Sequence, residues 1–324
     1  MESKPGFLFY AVPGQRKSMI AAAEELDRRG FPFIYCNHGS ARVLPAGQEA
    51  QQSGVVRTYI GTAVTDGLSH CLAIAMRTKR ITVGTGIEVT YTRHPVEMLG
   101  VANYINEVSD GRFLLGIGPG HNEILKQWHY PIEKPLAHMR RYTQELRAVA
   151  TGQPIPPLIF SVLRNGMLRL AGELADGAIW ANAVLSYLPT ALKEVPAEKR
   201  DSFIVANLAP CYVSEDRAEA LEAVRVALTN YLTLTNYQRY FTEAGYGKEV
   251  EQAKAAIAAN DHAAIAAAVS ERMADDICLY GSAAEVREKF EAFQAAGVNQ
   301  MCVSTLFHSD DQAEAILRVA DAFD

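Results

Sequence analysis

The chain lacks most of the short patterns that announce a reaction. It has no Cys-x-x-Cys pair, no His-x-His, no His-Glu-x-x-His and no Gly-x-Ser-x-Gly elbow. Zinc chemistry and a serine nucleophile therefore have no support in its motifs. Cysteine is scarce, odd in number and scattered, at Cys36, Cys71, Cys211, Cys278 and Cys302. That spacing predicts buried reduced thiols in a cytoplasmic protein, with no disulfide framework. Positive charge is in deficit, with 31 Lys and Arg against 37 Asp and Glu and a net charge of −6. A basic patch able to offset phosphate charge is missing, so neither nucleic acid nor an anionic membrane is an expected partner. No stretch approaches the roughly 18 apolar residues of a membrane span, and Met1-Glu2-Ser3-Lys4-Pro5 has no apolar signal core.

What is present is a regular alternation. Short apolar runs occupy 7–12, 31–36, 81–89, 113–117, 158–162, 178–181, 203–213 and 298–305, with helical patterns between them. Most of those patterns end at a glycine, as at Gly30, Gly111, Gly152 and Gly297. Eight strand–helix units in 324 residues predict a closed (β/α)₈ TIM barrel, an α/β fold of parallel strands, as one domain over 1–324. Two stretches exceed the minimal barrel, about 39–65 and 214–281, the second largely helical in pattern. Both follow strands, which puts insertions on the C-terminal face and makes them candidate substrate lids. None of the eight runs contains a lysine, which removes a Schiff-base aldolase.

The catalytic face of such a barrel is built from strand exits. Here they carry Tyr10, Asn37 and His38, Gly86 and Glu88, then Gly120, His121 and Asn122, then Arg164, Asn165 and Gly166, then Trp180 and Asn182, and last His308. Three of the eight histidines, His38, His121 and His308, fall at exits. The most distinctive stretch is 109–121, a turn and a buried strand leading to Gly116, Gly118, Pro119, Gly120 and His121. Its alternating glycines strip one side of the chain of side chains, so a flat or phosphorylated ligand could approach the backbone. It is not the dinucleotide fingerprint, because a third glycine would fall at His121.

These residues match a family. Segments 21–31, 78–87 with Arg93-His94-Pro95, 109–121, and 167–177 with its echo at 281–286 resemble the bacterial luciferase-like flavin-dependent superfamily, in its coenzyme F420 branch. The resemblance implies a non-prolyl cis peptide at Gly86–Ile87, in a bulge that backs the central ring of the cofactor and leaves little room on its ligand face. Such a bond costs about 3–4 kcal/mol, so it should persist only where the surrounding structure enforces it. Gly86 also reads as a plain turn glycine. The resemblance further places Asn37, Gly118, Pro119, Gly120 and Asn122 along the cofactor, and the Val162, Leu163, Arg164, Asn165 and Gly166 stretch against its phosphate, where a helix N-terminus suits an anion.

By the same resemblance His38 is the proton-transfer residue, since an imidazole titrates near working pH. Relatives often carry an acidic residue before it; here Asn37 could orient the ring without stabilising an imidazolium. Some relatives have a glutamate acid where this chain has His121, so the acid role falls to His121 or to Glu88. The implied activity is F420-dependent hydride transfer on a small carbonyl, alcohol or activated alkene, by a homodimer. An FMN-dependent monooxygenase is the alternative on the same fold, and a non-catalytic flavin-binding barrel the alternative of another class. The aromatic-rich insertion (Tyr231, Tyr237, Tyr240, Phe241, Tyr246) has no cluster of Lys and Arg, which favours a neutral or apolar substrate.

Overall fold

The computed structural model describes residues 4–11, 13–42, 62–127, 129–305 and 311–324. Eight parallel strands close on themselves: β1 (Gly6–Tyr10), β2 (Phe33–Asn37), β3 (Thr82–Thr85), β4 (Phe113–Gly118), β5 (Leu158–Ser161), β6 (Gly177–Ala181), β7 (Ile204–Val213) and β8 (Gln300–Ser304). Each pairs with the next, and β8 pairs back onto β1 with Phe7 opposite Val303. The fold is a (β/α)₈ barrel, and every one of the eight apolar runs supplies one of its strands.

The runs are apolar throughout because both faces of each strand are buried. Alternate residues point inward, and Leu8, Tyr35, Leu114, Ile159, Ile179, Ala206, Leu208 and Cys302 fill the lumen. The residues between them, such as Phe7, Phe9, Ile34, Phe160 and Trp180, pack outward against the helices. Tyr35 crosses the lumen to donate its hydroxyl to Gln300 Oε1 at 2.5 Å, and Gly84 leaves room for its ring.

Several matched segments have structural work at the N-terminal end of the barrel. Asp27 accepts the backbone N–H groups of Lys79, Arg80 and Ile81 at 3.1, 2.8 and 2.7 Å, tying two segments together. Burial opposes its charge, but those donors hold its carboxyl below the usual range. Asp176 likewise accepts from Leu158 N at 2.8 Å, and Gly177 lets Ile204 approach closely. The echo at Gly281 is a capping box, with Ser282 and Glu285 starting the helix Ala283–Ala295.

Ahead of the barrel helix Ala283–Ala295, β7 is followed by five inserted helices, Arg217–Leu232, Thr235–Glu243, Gly247–Ala258, His262–Ala267 and Glu271–Ile277. A short strand, Leu279–Gly281, then pairs in parallel beside the end of β7, with Val213 opposite Gly281. The other insertion is not helical where it is described, since Gly39–Arg42 pairs antiparallel with Thr62–Thr65. Residues 43–61, with most of that candidate lid, and His308 lie outside the described residues. All five cysteines are buried and free. Among the described residues no helix is long and apolar enough to cross a membrane.

Candidate active site

The run at 81–89 does not continue as one strand. β3 stops at Thr85, the Gly86–Ile87 peptide is cis, and pairing resumes at Glu88–Val89 against Ile117 and Gly118 of β4. The glycines of β4 make room for this bulge. A Cβ on Gly116 would lie 2.0 Å from the Thr85 carbonyl oxygen, and one on Gly118 would lie 2.0 Å from Ser161 Oγ and 3.1 Å from Ile87 Cδ1. The expectation that the bare side faces a ligand is corrected at these two positions, because protein atoms already fill it. Gly86 has a similar reason. Its missing Cβ faces Tyr35 Cβ at 3.1 Å and Leu208 Cδ1 at 3.2 Å inside the lumen, and its φ is not in the left-handed region. It is therefore neither a positive-φ turn glycine nor bare toward a ligand. Ile87 is half-buried against the top of the lumen cluster.

The displaced chain delivers Glu88 to His38. Glu88 Oε2 lies 3.0 Å from His38 Nδ1; the carboxylate is completely buried and the imidazole 10% exposed. Glu88 Oε1 accepts the backbone N–H of Leu68 at 3.1 Å, at the start of the helix Gly67–Ala75. His38 Nε2 is 3.1 Å from Thr92 Oγ1, and that hydroxyl donates its single hydrogen to the Val89 carbonyl at 2.8 Å. The network thus assigns the proton on Nε2 as donor to Thr92, leaving Nδ1 facing Glu88. Asn37 does not orient the ring, because both ring nitrogens face Glu88 and Thr92.

Burial pushes the Glu88 carboxyl up to about 8, against the opposing pull of Arg93. Burial also holds His38 below its ordinary value, with Asp66 raising it and Arg93 lowering it. At neutral pH both directions favour a pair that shares one proton, carried by the Glu88 carboxyl toward Nδ1. Arg93 completes the cluster, its Nε 3.4 Å from Glu88 Oε2 and its terminal nitrogen 2.8 Å from Asp66 Oδ2. His38, Asp66 and Glu88 offer ligand atoms within 4.8 Å of one another, but the guanidinium takes the place of a cation between the two carboxylates. The cluster is an Asp66–Arg93 ion pair set against the proton-sharing His38–Glu88 pair.

The other expected residues face the helical insertion. His121 Nδ1 is 3.3 Å from Asn236 Nδ2, and its ring centroid is 5.9 Å from that of Tyr237. Pro119 and Gly120 are half-buried and Asn122 is exposed. Val162 is buried just past β5, and the helix Asn165–Leu174 begins with Arg164 at its N-cap and no side chain capping it. Arg164 is exposed and engaged, its Nε 2.8 and 2.9 Å from the two carboxylate oxygens of Glu243. Asn165 donates to Glu194 Oε1 at 3.1 Å, and Gly166 leaves ordinary room beside Leu136. In the insertion, Tyr237, Tyr240, Phe241 and Tyr246 are buried as packing residues, while Tyr231 is half-buried.

Residues 40–300 match the sequence model of the luciferase-like monooxygenase family. The chain belongs to that family. A 5,10-methylenetetrahydromethanopterin reductase of Archaeoglobus fulgidus is 25% identical over 284 residues, covering 78% of this chain and 86% of the reductase. The coenzyme F420-dependent tetrahydromethanopterin reductase of Methanopyrus kandleri has a solved structure that matches with TM-score 0.71 at 19% identity, over 98% of this chain and 96% of that one. The oxygenating constituent of 3,6-diketocamphane monooxygenase of Pseudomonas putida, a type II Baeyer-Villiger monooxygenase solved with FMN, matches with TM-score 0.64 at 16% identity, over 98% and 97%. These luciferase-like relatives are oxidoreductases, one named for F420 and another bound to FMN.

Three members of this cluster were not expected at the site from the sequence: Asp66, Thr92 and Arg93. The sequence held a signal for two of them, an acidic residue ahead of a helical pattern for Asp66 and the matched Arg93-His94-Pro95 for Arg93. Asp66 is the residue before a helix start, where it accepts from Leu68 N and Ser69 N. Thr92 and Arg93 belong to the loop after the bulge, and only the fold shows that Arg93, 19% exposed, meets Asp66 and Glu88 there.

Proposed function

We propose that this protein is a coenzyme F420-dependent oxidoreductase that moves a hydride between the deazaflavin and a small carbonyl, alcohol or activated alkene. The observation that carries the reading is the buried His38–Glu88 pair, 3.0 Å apart, beside the Gly86–Ile87 bulge at the barrel mouth. Hydride transfer at a carbon bearing oxygen needs a partner for the hydroxyl proton.

The residues of the mouth fit such a cofactor. The uncapped start of helix Asn165–Leu174 leaves first-turn N–H groups for a phosphate, and the half-buried Ile87 gives an apolar platform at the top of the lumen. Asn37, Ile87, Pro119, Gly120 and Asn122 would line the ring and chain, with Val162, Leu163, Arg164, Asn165 and Gly166 around the phosphate; Gly86 and Gly118 would act behind them, by letting the bulge pack. The chemistry that a bound deazaflavin supplies is transfer of a hydride to or from carbon. The protein's share is the proton. In the step the His38 Nε2–H would leave its resting acceptor, Thr92 Oγ1, for the substrate oxygen and give it the proton as Nδ1 takes the proton of Glu88, and the reverse direction runs the same path backward. His121, near the insertion, is the second candidate acid and would act on the substrate side.

An FMN-dependent monooxygenase is the second reading, favoured by the family match and by the FMN-bound structural relative. The test is turnover. Oxidised F420 is offered with a panel of secondary alcohols, and reduced F420 with ketones and enones, followed by the deazaflavin absorbance. Parallel reactions with reduced FMN and oxygen are assayed for oxygenated product. Substrate-dependent change in F420 absorbance supports the reading; oxygenated product with FMN alone overturns it.

A further inference from the structure

The proton pair is held inside a larger charge balance. Glu88 Oε2, His38 Nδ1 and Arg93 Nε are all buried, and none makes a hydrogen bond of regular geometry. They nevertheless converge, with Oε2 lying 3.0 Å from the imidazole nitrogen and 3.4 Å from the guanidinium. Arg93 is itself fixed from two sides. Asp66 holds its terminal nitrogen at 2.8 Å, and its carbonyl accepts the Tyr142 hydroxyl at 2.9 Å. Asp66 is anchored in turn as the N-cap of the helix whose Leu68 N–H binds Glu88.

We infer that Arg93 is the positioning residue that stabilises the Glu88 carboxylate formed when His38 delivers its proton, with Asp66 as the counterweight that keeps it from drawing the proton off early. The proposal rests on the reading of His38 as the proton-transfer residue. In the step, the Nε2–H bond breaks toward the substrate oxygen and the Glu88 O–H bond breaks toward Nδ1. The imidazole ends neutral with its proton on Nδ1, and the new carboxylate lies against Arg93 Nε and Leu68 N–H. Arg93 keeps all its protons.

The charged and titratable groups facing this pair come from three further elements. Asp66 caps the helix Gly67–Ala75 and Cys71 lies within it, Arg93 belongs to the loop after the bulge, and Tyr142 to the helix Pro135–Ala150. Burial and the charge of Glu88 both raise the Cys71 thiol and the Tyr142 phenol, so neither ionises in the working range. That leaves Arg93 and Asp66 as the permanent charges, and they act with opposite sign on both His38 and Glu88.

The test is an NMR titration of His38 in the ligand-free protein labelled in its histidine rings, the signal identified by its loss in His38→Gln. Arg93→Gln is expected to raise the apparent titration midpoints of the pair by about one pH unit, because it removes the nearby positive charge. Asp66→Asn, which keeps an N-capping side chain, is expected to lower them. Arg93→Lys restores most of the wild-type position. The pH–rate profile of turnover moves in the same two directions. Opposite shifts in the ligand-free protein uphold the proposal even where F420 supports no turnover, which would remove the cofactor reading alone. Unmoved midpoints in folded variants, or shifts of the same sign in both, overturn it.

Discussion

Glu88 and His38 come from adjacent barrel strands and meet at 3.0 Å, because the chain between Thr85 and Glu88 bulges and turns the carboxylate toward the exit of β2. His38→Ala removes the residue proposed to pass the proton to the substrate. Turnover is expected to fall about 10²–10⁴-fold, the usual worth of general acid–base catalysis, with cofactor affinity within a few-fold of wild type. Steady-state kinetics and a binding titration on the same variant check this; a near-normal kcat would make His38 an ordinary loop histidine.

Glu88 also gives the fold a pH dependence. Its carboxyl is raised from 4.5 to about 8 by burial. Between those values the folded protein keeps a proton that the unfolded chain has released, so this group lowers stability as pH rises through the window. Glu88→Gln retains an acceptor for Leu68 N–H and cannot ionise. Its Tm relative to wild type is expected to become more favourable from pH 5 to pH 8. Parallel melting curves across that range would show that Glu88 is already ionised in the folded protein.

The glycines of β4 separate by what they face. At Gly116 a Cβ would strike the Thr85 carbonyl, which is backbone, whereas at Gly118 the nearest atom is the Ser161 hydroxyl, which can rotate. Gly116→Ala is expected to cost about 3 kcal/mol and Gly118→Ala less, by denaturant melts of the ligand-free protein. Gly86→Val belongs with the first, since its side chain would enter the filled lumen against Tyr35 and Leu208.

The barrel was legible because a strand buried on both faces must be apolar along its length, and eight such runs leave few other architectures. His38 and Glu88 were legible as residues at strand exits. Their partners were not, because Asp66, Thr92 and Arg93 reach the site from separate turns and only the closed fold brings them together. The glycine row misled for a related reason. Close approach can be read from a sequence, but what approaches is Thr85 or Ser161, 31 and 43 positions away from their glycines.

Arg164 links the expected phosphate site to the insertion. Its guanidinium is held by Glu243, and the pair is exposed enough to exchange with solvent. Glu243→Gln frees the arginine for a ligand anion. Affinity for a phosphorylated cofactor is expected to rise a few-fold, more at low salt than at high salt. Isothermal titration at two ionic strengths checks it, and an unchanged or weaker affinity would place Arg164 outside the cofactor site.

Equilibrium binding distinguishes F420 from FMN without any need for a substrate. The purified ligand-free protein is titrated in parallel with F420, FMN and NADPH under one buffer condition, with the Kd of each measured by fluorescence or calorimetry. The account predicts that F420 binds most tightly. FMN binding as tight as F420, or tighter, would contradict it and make the oxygen-using reading the stronger one.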